Sequence, residues 1–140
     1  MDLSIVAPAF DEAPVLPLFI GRVLGILDQI EGSAELILVD DGSKDGTWEA
    51  IEAAARVDER IRGLRLSRNF GHQAALTAGL AFADGDAVIT LDADLQHPPE
   101  VILELLAKAR DGYDVVCAVR SPTNGMPNPF NTRASGCDRE

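Results

Sequence analysis

Val88-Ile89-Thr90-Leu91-Asp92-Ala93-Asp94-Leu95-Gln96-His97-Pro98-Pro99-Glu100 joins a strand signal to a helix signal through a pair of aspartates. The apolar run from Ala87 to Leu91 reads as a short buried strand, and side chains two residues apart leave its end on one face. Asp92 and Asp94 therefore share one small volume. Left alone they repel and one tends to hold a proton, whereas a divalent cation removes that penalty and gains hard oxygen ligands. Gln96 continues the spacing with a neutral amide oxygen. Pro98 and Pro99 suit a helix start, where a missing N–H costs little, and Glu100 suits the positive end of that helix. The predicted unit is strand, metal-binding turn, helix. A lone Asp-x-Asp also fits a solvated turn in which one acid serves as a cap, so the pair gains its meaning from the rest of the chain.

Upstream, Leu3 to Ala7 is a β-branched run closed by Pro8, a first buried strand, followed by the turn Ala9-Phe10-Asp11-Glu12. Between Val15 and Ile30, Leu16, Phe19, Ile20, Val23, Leu27 and Ile30 recur at steps of three and four, which predicts an amphipathic helix. Glu35 to Val39 is a second strand, and it stops at Asp40-Asp41-Gly42-Ser43. Asp45, Gly46 and Thr47 offer caps for a helix with Trp48, Ile51 and Ala55 on one face, Trp48 in the core. Ile61 to Leu66 alternates and predicts a half-exposed strand near a sheet edge. After Ser67-Arg68-Asn69-Phe70-Gly71-His72, a helix carries Ala75, Leu76, Gly79, Leu80 and Ala83, a small-residue face suited to close packing on a sheet. Downstream, a helix from Pro99 to Ala109 buries Ile102, Leu105, Leu106 and Ala109, Gly112 ends it, and a last strand runs from Asp114 to Val119 before Arg120.

Strand and helix thus alternate along the chain. The predicted fold class is α/β, a Rossmann-like, mostly parallel sheet with right-handed crossovers and helices on both faces, which binds ligands at the carboxyl ends of its strands. The polar clusters fall at those ends: Glu12, then Asp40 and Asp41, then Arg68 and His72, then Asp92 and Asp94, then Arg120. Scattered loop acids would not be sorted this way. Residues 121–140, with Pro122, Pro127, Pro129 and Asn124-Gly125, show no periodic run and are expected to form an irregular or disordered tail after a single domain over 1–120.

Composition bounds the function. The 140 residues suffice for one core, and a formal net charge of −11 repels phosphate backbones, so nucleic acid is a poor partner. Cys117 and Cys137 do not form a disulfide framework, which together with the absence of a signal-like start indicates a reducing, cytoplasmic setting. Arg22 and Asp84 break the longest apolar stretches well short of the roughly 20 residues a spanning helix needs. The chain contains neither a Gly-x-Gly-x-x-Gly after its first strand nor a Gly-Lys-Ser/Thr loop. One competitor is an EF-hand loop over Asp41–Glu52, with Gly46 at its sixth position, although a β-type run precedes it where a helix is required.

Taken together, Pro8-Ala9-Phe10-Asp11-Glu12, Val39-Asp40-Asp41-Gly42-Ser43 with Asp45-Gly46-Thr47, Arg68-Asn69-Phe70-Gly71 and Leu91 to Glu100 resemble the family-two inverting glycosyltransferases of GT-A fold, in the dolichol- or polyprenyl-phosphate sugar transferase branch. The resemblance covers roughly Leu3 to Arg120. It implies that Pro8, Phe10 and Glu12 line a nucleoside pocket, with Phe10 where the family often has Tyr, so that stacking survives and a hydroxyl contact is lost. It further implies that Val39 and Asp41 flank base and ribose with Asp40 close by. Asp92, Ala93 and Asp94 would hold the ribose and an Mg²⁺ or Mn²⁺ ion, Gln96 would be a further metal ligand, and Arg120 would face the acceptor phosphate or the diphosphate. Asp94 and Arg120 are the implied catalytic groups. The implied donor is a UDP- or GDP-linked sugar, the acceptor a lipid phosphate, and the place the cytoplasmic face of a membrane, reached through parts absent from this stretch. The family's catalytic domain is longer, so the chain is also read as a truncated, nucleotide-binding remnant without transfer activity. His72 is left between two roles, reaching the diphosphate or facing solvent, and Asp11 and Asp45 read as turn or cap residues.

Overall fold

The computed structural model describes residues 1–95 and 98–112, together with the backbone of two strands at 116–120 and 132–136. The elements run β1 (Leu3–Ala9), α1 (Leu16–Leu27), β2 (Ala34–Asp40), α2 (Thr47–Val57), β3 (Ile61–Arg65), α3 (His72–Phe82), β4 (Ala87–Thr90), α4 (Val101–Arg110), β5 (Val116–Arg120) and β6 (Thr132–Gly136). The first four strands form one parallel sheet in the order β3-β2-β1-β4. This is the α/β architecture the alternation predicted, with β3 at an edge as its pattern required.

Every residue of β1 is buried, as a central strand of such a sheet demands. The strand continues through Pro8 to Ala9, two residues past its predicted end. Proline is tolerated because alternate residues of a parallel strand address alternate neighbours. Val6 accepts from Leu91 N–H at 3.0 Å, so Pro8 faces the same side, where β4 has already ended at Thr90. No ladder bond is lost.

The helices divide between the two faces. Phe19 and Val23 of α1, Ile51 of α2 and Ile102 of α4 join Ile5 and Leu38 in the larger core cluster. Each such side chain contributes roughly 1.5–3 kcal/mol on burial. On the opposite face Ala75 of α3 meets Val6, Ile37 and Val39. A Cβ at Gly79 would stand 2.3 Å from Val6 Cγ1 and 3.0 Å from Val39 Cγ2, so the absent side chain lets α3 sit directly on the sheet. Trp48, predicted as core, is half-buried against the larger cluster, with the Arg65 guanidinium 5.5 Å above its ring.

The amino-terminal ends of the strands carry a buried polar knot. Glu35 Oε1 accepts from Ser4 Oγ at 2.7 Å and from Asp84 N–H at 3.1 Å, and Glu35 Oε2 accepts from Arg62 at 3.1 Å. Burial raises the pKa of this carboxyl, and the three donors outweigh that effect to hold it below the ordinary glutamate value.

Two expectations are corrected downstream. The last strand was expected in the parallel sheet, yet β5 pairs antiparallel with β6, Val116 opposite Gly136 and Arg120 opposite Thr132. β6 itself lies inside the stretch expected to be irregular. Its sequence, Thr-Arg-Ala-Ser-Gly, has no apolar alternation, so the ladder with β5 rather than its own pattern makes it a strand. The side chains of Cys117, Arg120 and Cys137 lie outside the described residues. Among the described residues no helix is long and apolar enough to cross a membrane.

Candidate active site

A cleft of about 420 Å³ opens at the carboxyl ends of β1, β2 and β4, lined by Pro8, Ala9, Phe10, Glu12, Asp41, Asn69, Gly71, His72, Asp92, Ala93 and Asp94. Of the residues singled out by sequence, Pro8, Phe10, Glu12, Asp41, Asp92, Ala93 and Asp94 meet here. Val39 and Asp40 lie beneath the cleft rather than on its wall. Neighbouring strand residues point to opposite faces, which sends Val39 into the α3-side cluster and Asp40 the other way. Gln96 falls outside the described residues, and for Arg120 only the backbone is described.

The adjacent acids after β2 have separate tasks. Asp40 is fully buried; its Oδ1 accepts from Ser43 N–H at 3.0 Å, while Arg65 Nε stands 3.8 Å from its Oδ2. Asp41, also buried, accepts from Phe70 N–H at 2.9 Å and from Gly71 N–H at 3.1 Å. This bond pair draws the β3–α3 loop onto the end of β2. Gly42 permits the approach: it has φ +72, and a Cβ there would lie 2.3 Å from the backbone of Arg68 and Asn69. Gly71, at φ +101, then opens α3 and leaves His72 as its first residue. The loop is why Asn69 and Gly71 reach the cleft. The sequence reading marked that segment as a motif without giving either residue a role.

The wall on the β1 side is set by a clasp between two loops. Asp11, at φ +50, donates its N–H to Ser43 Oγ at 2.9 Å and accepts from Lys44 N–H at 3.0 Å. Glu12 N–H donates to Thr47 Oγ1 at 2.9 Å, and Asp45 closes the turn before α2 by accepting from Thr47 N–H at 2.9 Å. Asp11 and Asp45 thus have turn roles, one of the two expected of them, and they fix Phe10 and Glu12 at the mouth. Phe10 is 44% exposed, an aromatic surface open to a ligand.

The cleft concentrates negative charge. Burial, followed by the carboxylates of Asp94, Asp45, Asp92 and Asp11, raises the Glu12 pKa above the ordinary glutamate value. Opposite, His72 Nε2 lies 2.9 Å from Asp92 Oδ1. Among the described residues no three His, Cys, Asp or Glu side chains converge as an all-protein metal cage. Two carboxylates beside space for a ligand are instead the donor set with which Mg²⁺ and its like bind, phosphate oxygens completing the shell. Asp92 and Asp94 therefore fit a divalent cation that shares its shell with a bound ligand. The EF-hand reading fails on this geometry: a strand, β2, precedes Asp41, its carboxylate serves two backbone amides, and Glu52 pairs with Arg56 along α2.

Residues 4–136 match the family model described as glycosyl transferase family 2. The chain is 48% identical over 119 residues to an undecaprenyl-phosphate 4-deoxy-4-formamido-L-arabinose transferase of Aeromonas hydrophila, an alignment covering 84% of this chain and 36% of that one. Among solved structures it is similar to glucosyl-3-phosphoglycerate synthase of Mycobacterium tuberculosis in complex with UDP, with a TM-score of 0.62, 27% identity, and coverage of 79% of this chain and 40% of the other. It is also similar in fold to the mannosyltransferase PcManGT of Pyrobaculum calidifontis in complex with GDP-Man and Mn²⁺, with a TM-score of 0.57, 24% identity, and coverage of 66% and 27%. The chain spans less than half the length of the curated relatives it matches.

Proposed function

The chain belongs to glycosyl transferase family 2, and from that membership we propose that its cleft binds a UDP- or GDP-linked sugar for inverting, metal-dependent transfer to a polyprenyl phosphate. The observation that carries this reading is the meeting of Phe10, Glu12, Asp92 and Asp94 in one cleft at the carboxyl ends of the sheet. Phe10 offers a face on which a base stacks, and Pro8 and Asp41 stand beside it. Asp92 and Asp94 would hold Mg²⁺ or Mn²⁺, with Gln96 as a further ligand, and Ala93 between them leaves room for the ribose. A cation held there would supply neutralisation of the charge that builds on a departing diphosphate. Arg120 serves the phosphate of the acceptor or the diphosphate. A lipid monophosphate, with a second pKa near about 6, is largely ionised at neutral pH and attacks the anomeric carbon without a dedicated base.

The acceptor class rests on the undecaprenyl-phosphate relative and the cation on the Mn²⁺ complex of the mannosyltransferase. With a lipid phosphate as acceptor, the working position is the cytoplasmic face of the membrane. We place the donor domain over 1–120. Calorimetric titration with UDP, GDP and ADP in the presence of Mn²⁺ tests the donor site: binding of UDP or GDP in preference to ADP supports it, and three equal or absent heats would remove it.

A further inference from the structure

We propose that His72 is a positioning residue that holds Asp92 in its cation-binding orientation; the inference rests on the donor-site reading. Asp92 follows β4, a four-residue strand, and the last backbone bond before it is Leu91 N–H to Val6 O at 3.0 Å. The next turn contains Leu95 at φ +62, so the segment leaves the sheet at once. The Asp92 side chain is 45% exposed, which means that packing does not select its rotamer. In a cleft shared with Asp94 and Glu12, repulsion alone would turn it toward solvent.

His72 supplies the opposing constraint. Its Nε2 lies 2.9 Å from Asp92 Oδ1, and the tautomer with its hydrogen on Nε2 donates to that oxygen. Oδ1 is thereby engaged and Oδ2 is left for the cation. His72 can hold Asp92 because it is held itself. Gly71, with φ +101, starts α3 immediately before it, and Asp41 pins that start through the N–H groups of Phe70 and Gly71. About two turns further on, Gly79 seats the helix against Val6 of β1, the strand paired with β4. The two halves of the contact are thus referenced to the same sheet. A group that orients a metal ligand without touching the metal typically affects metal affinity by about 10- to 100-fold.

The test is titration of Mn²⁺ into the chain with UDP or GDP present, followed by calorimetry and by the electron-paramagnetic signal of free Mn²⁺. It is run on wild type, His72→Leu and His72→Gln. The exposed position of His72 makes loss of fold a minor risk, and circular dichroism checks it. His72→Leu is expected to weaken Mn²⁺ binding about tenfold, a larger loss than it causes in metal-free nucleotide affinity. His72→Gln, which keeps an N–H donor, is expected to recover part of the loss. In ligand-free protein, nitrogen NMR is expected to show the Nε2–H form of His72, changed by Asp92→Asn. Unaltered Mn²⁺ affinity in His72→Leu overturns the positioning role. An equal loss of metal-free nucleotide affinity also overturns it, since His72 would then be touching phosphate. Wild-type chain that takes up neither nucleotide nor Mn²⁺ overturns the donor-site reading, and this inference with it.

Discussion

Glu12 bears the electrostatic cost of the cleft, because burial disfavours its charge and Asp94, Asp45, Asp92 and Asp11 add repulsion. Its pKa in the fold therefore exceeds that of the unfolded chain. As pH rises through that window, the unfolded chain loses its proton first and the folded state loses stability. Glu12→Gln does not titrate, so it is expected to melt at a higher temperature than wild type at pH 7, the gap closing below about pH 4. A gap that stays constant between those pH values would contradict the assignment. The same scale shows what the sequence could not say. Asp40 and Asp41 are chemically alike and adjacent, and only the strand's end decides that one is buried beneath the cleft and the other ties down the β3–α3 loop. Glu35, at the head of an apolar run, carries no local sign that Ser4, Arg62 and Asp84 will meet it, since those partners lie far away along the chain.

Among the elements, α3 is the one whose seating the site depends on, since it presents His72 and its preceding loop presents Asn69 and Gly71. Gly79→Ala sets two effects against each other. A helix interior gains up to about 1 kcal/mol from the exchange. The new Cβ, however, would stand 2.3 Å from Val6 Cγ1 on a central strand, and overpacking typically costs about 1–3 kcal/mol. The clash wins: chemical denaturation is expected to show a net loss of stability and a weaker nucleotide site. A more stable variant with unchanged binding would mean that α3 has room to shift. The small-residue face that makes this packing possible was legible in Ala75, Gly79 and Ala83, although Leu80, read onto the same face, is exposed; the edge position of β3 was legible in its alternation. The partner of β5 was not legible, because β6 has no hydrophobic pattern of its own.

For the molecule as a whole, the sorting of polar groups to strand ends carried the fold and most of the cleft. Parallel topology forces every strand end to one side, so residues distant in sequence, Glu12, Asp41 and Asp94, become neighbours. A formal net charge of −11 makes that side unfavourable to an anionic nucleotide unless a cation arrives with it. Nucleotide and metal should therefore bind as a coupled pair. The most direct measurement is calorimetric titration of UDP and GDP with and without Mn²⁺, on wild type and Asp94→Ala. Wild type is expected to bind one of the diphosphates at least tenfold more tightly with Mn²⁺, roughly 1.4 kcal/mol of coupling, and the variant to lose that gain. Binding that is indifferent to Mn²⁺, or that survives intact in Asp94→Ala, would contradict the account of this cleft as a metal-dependent donor site.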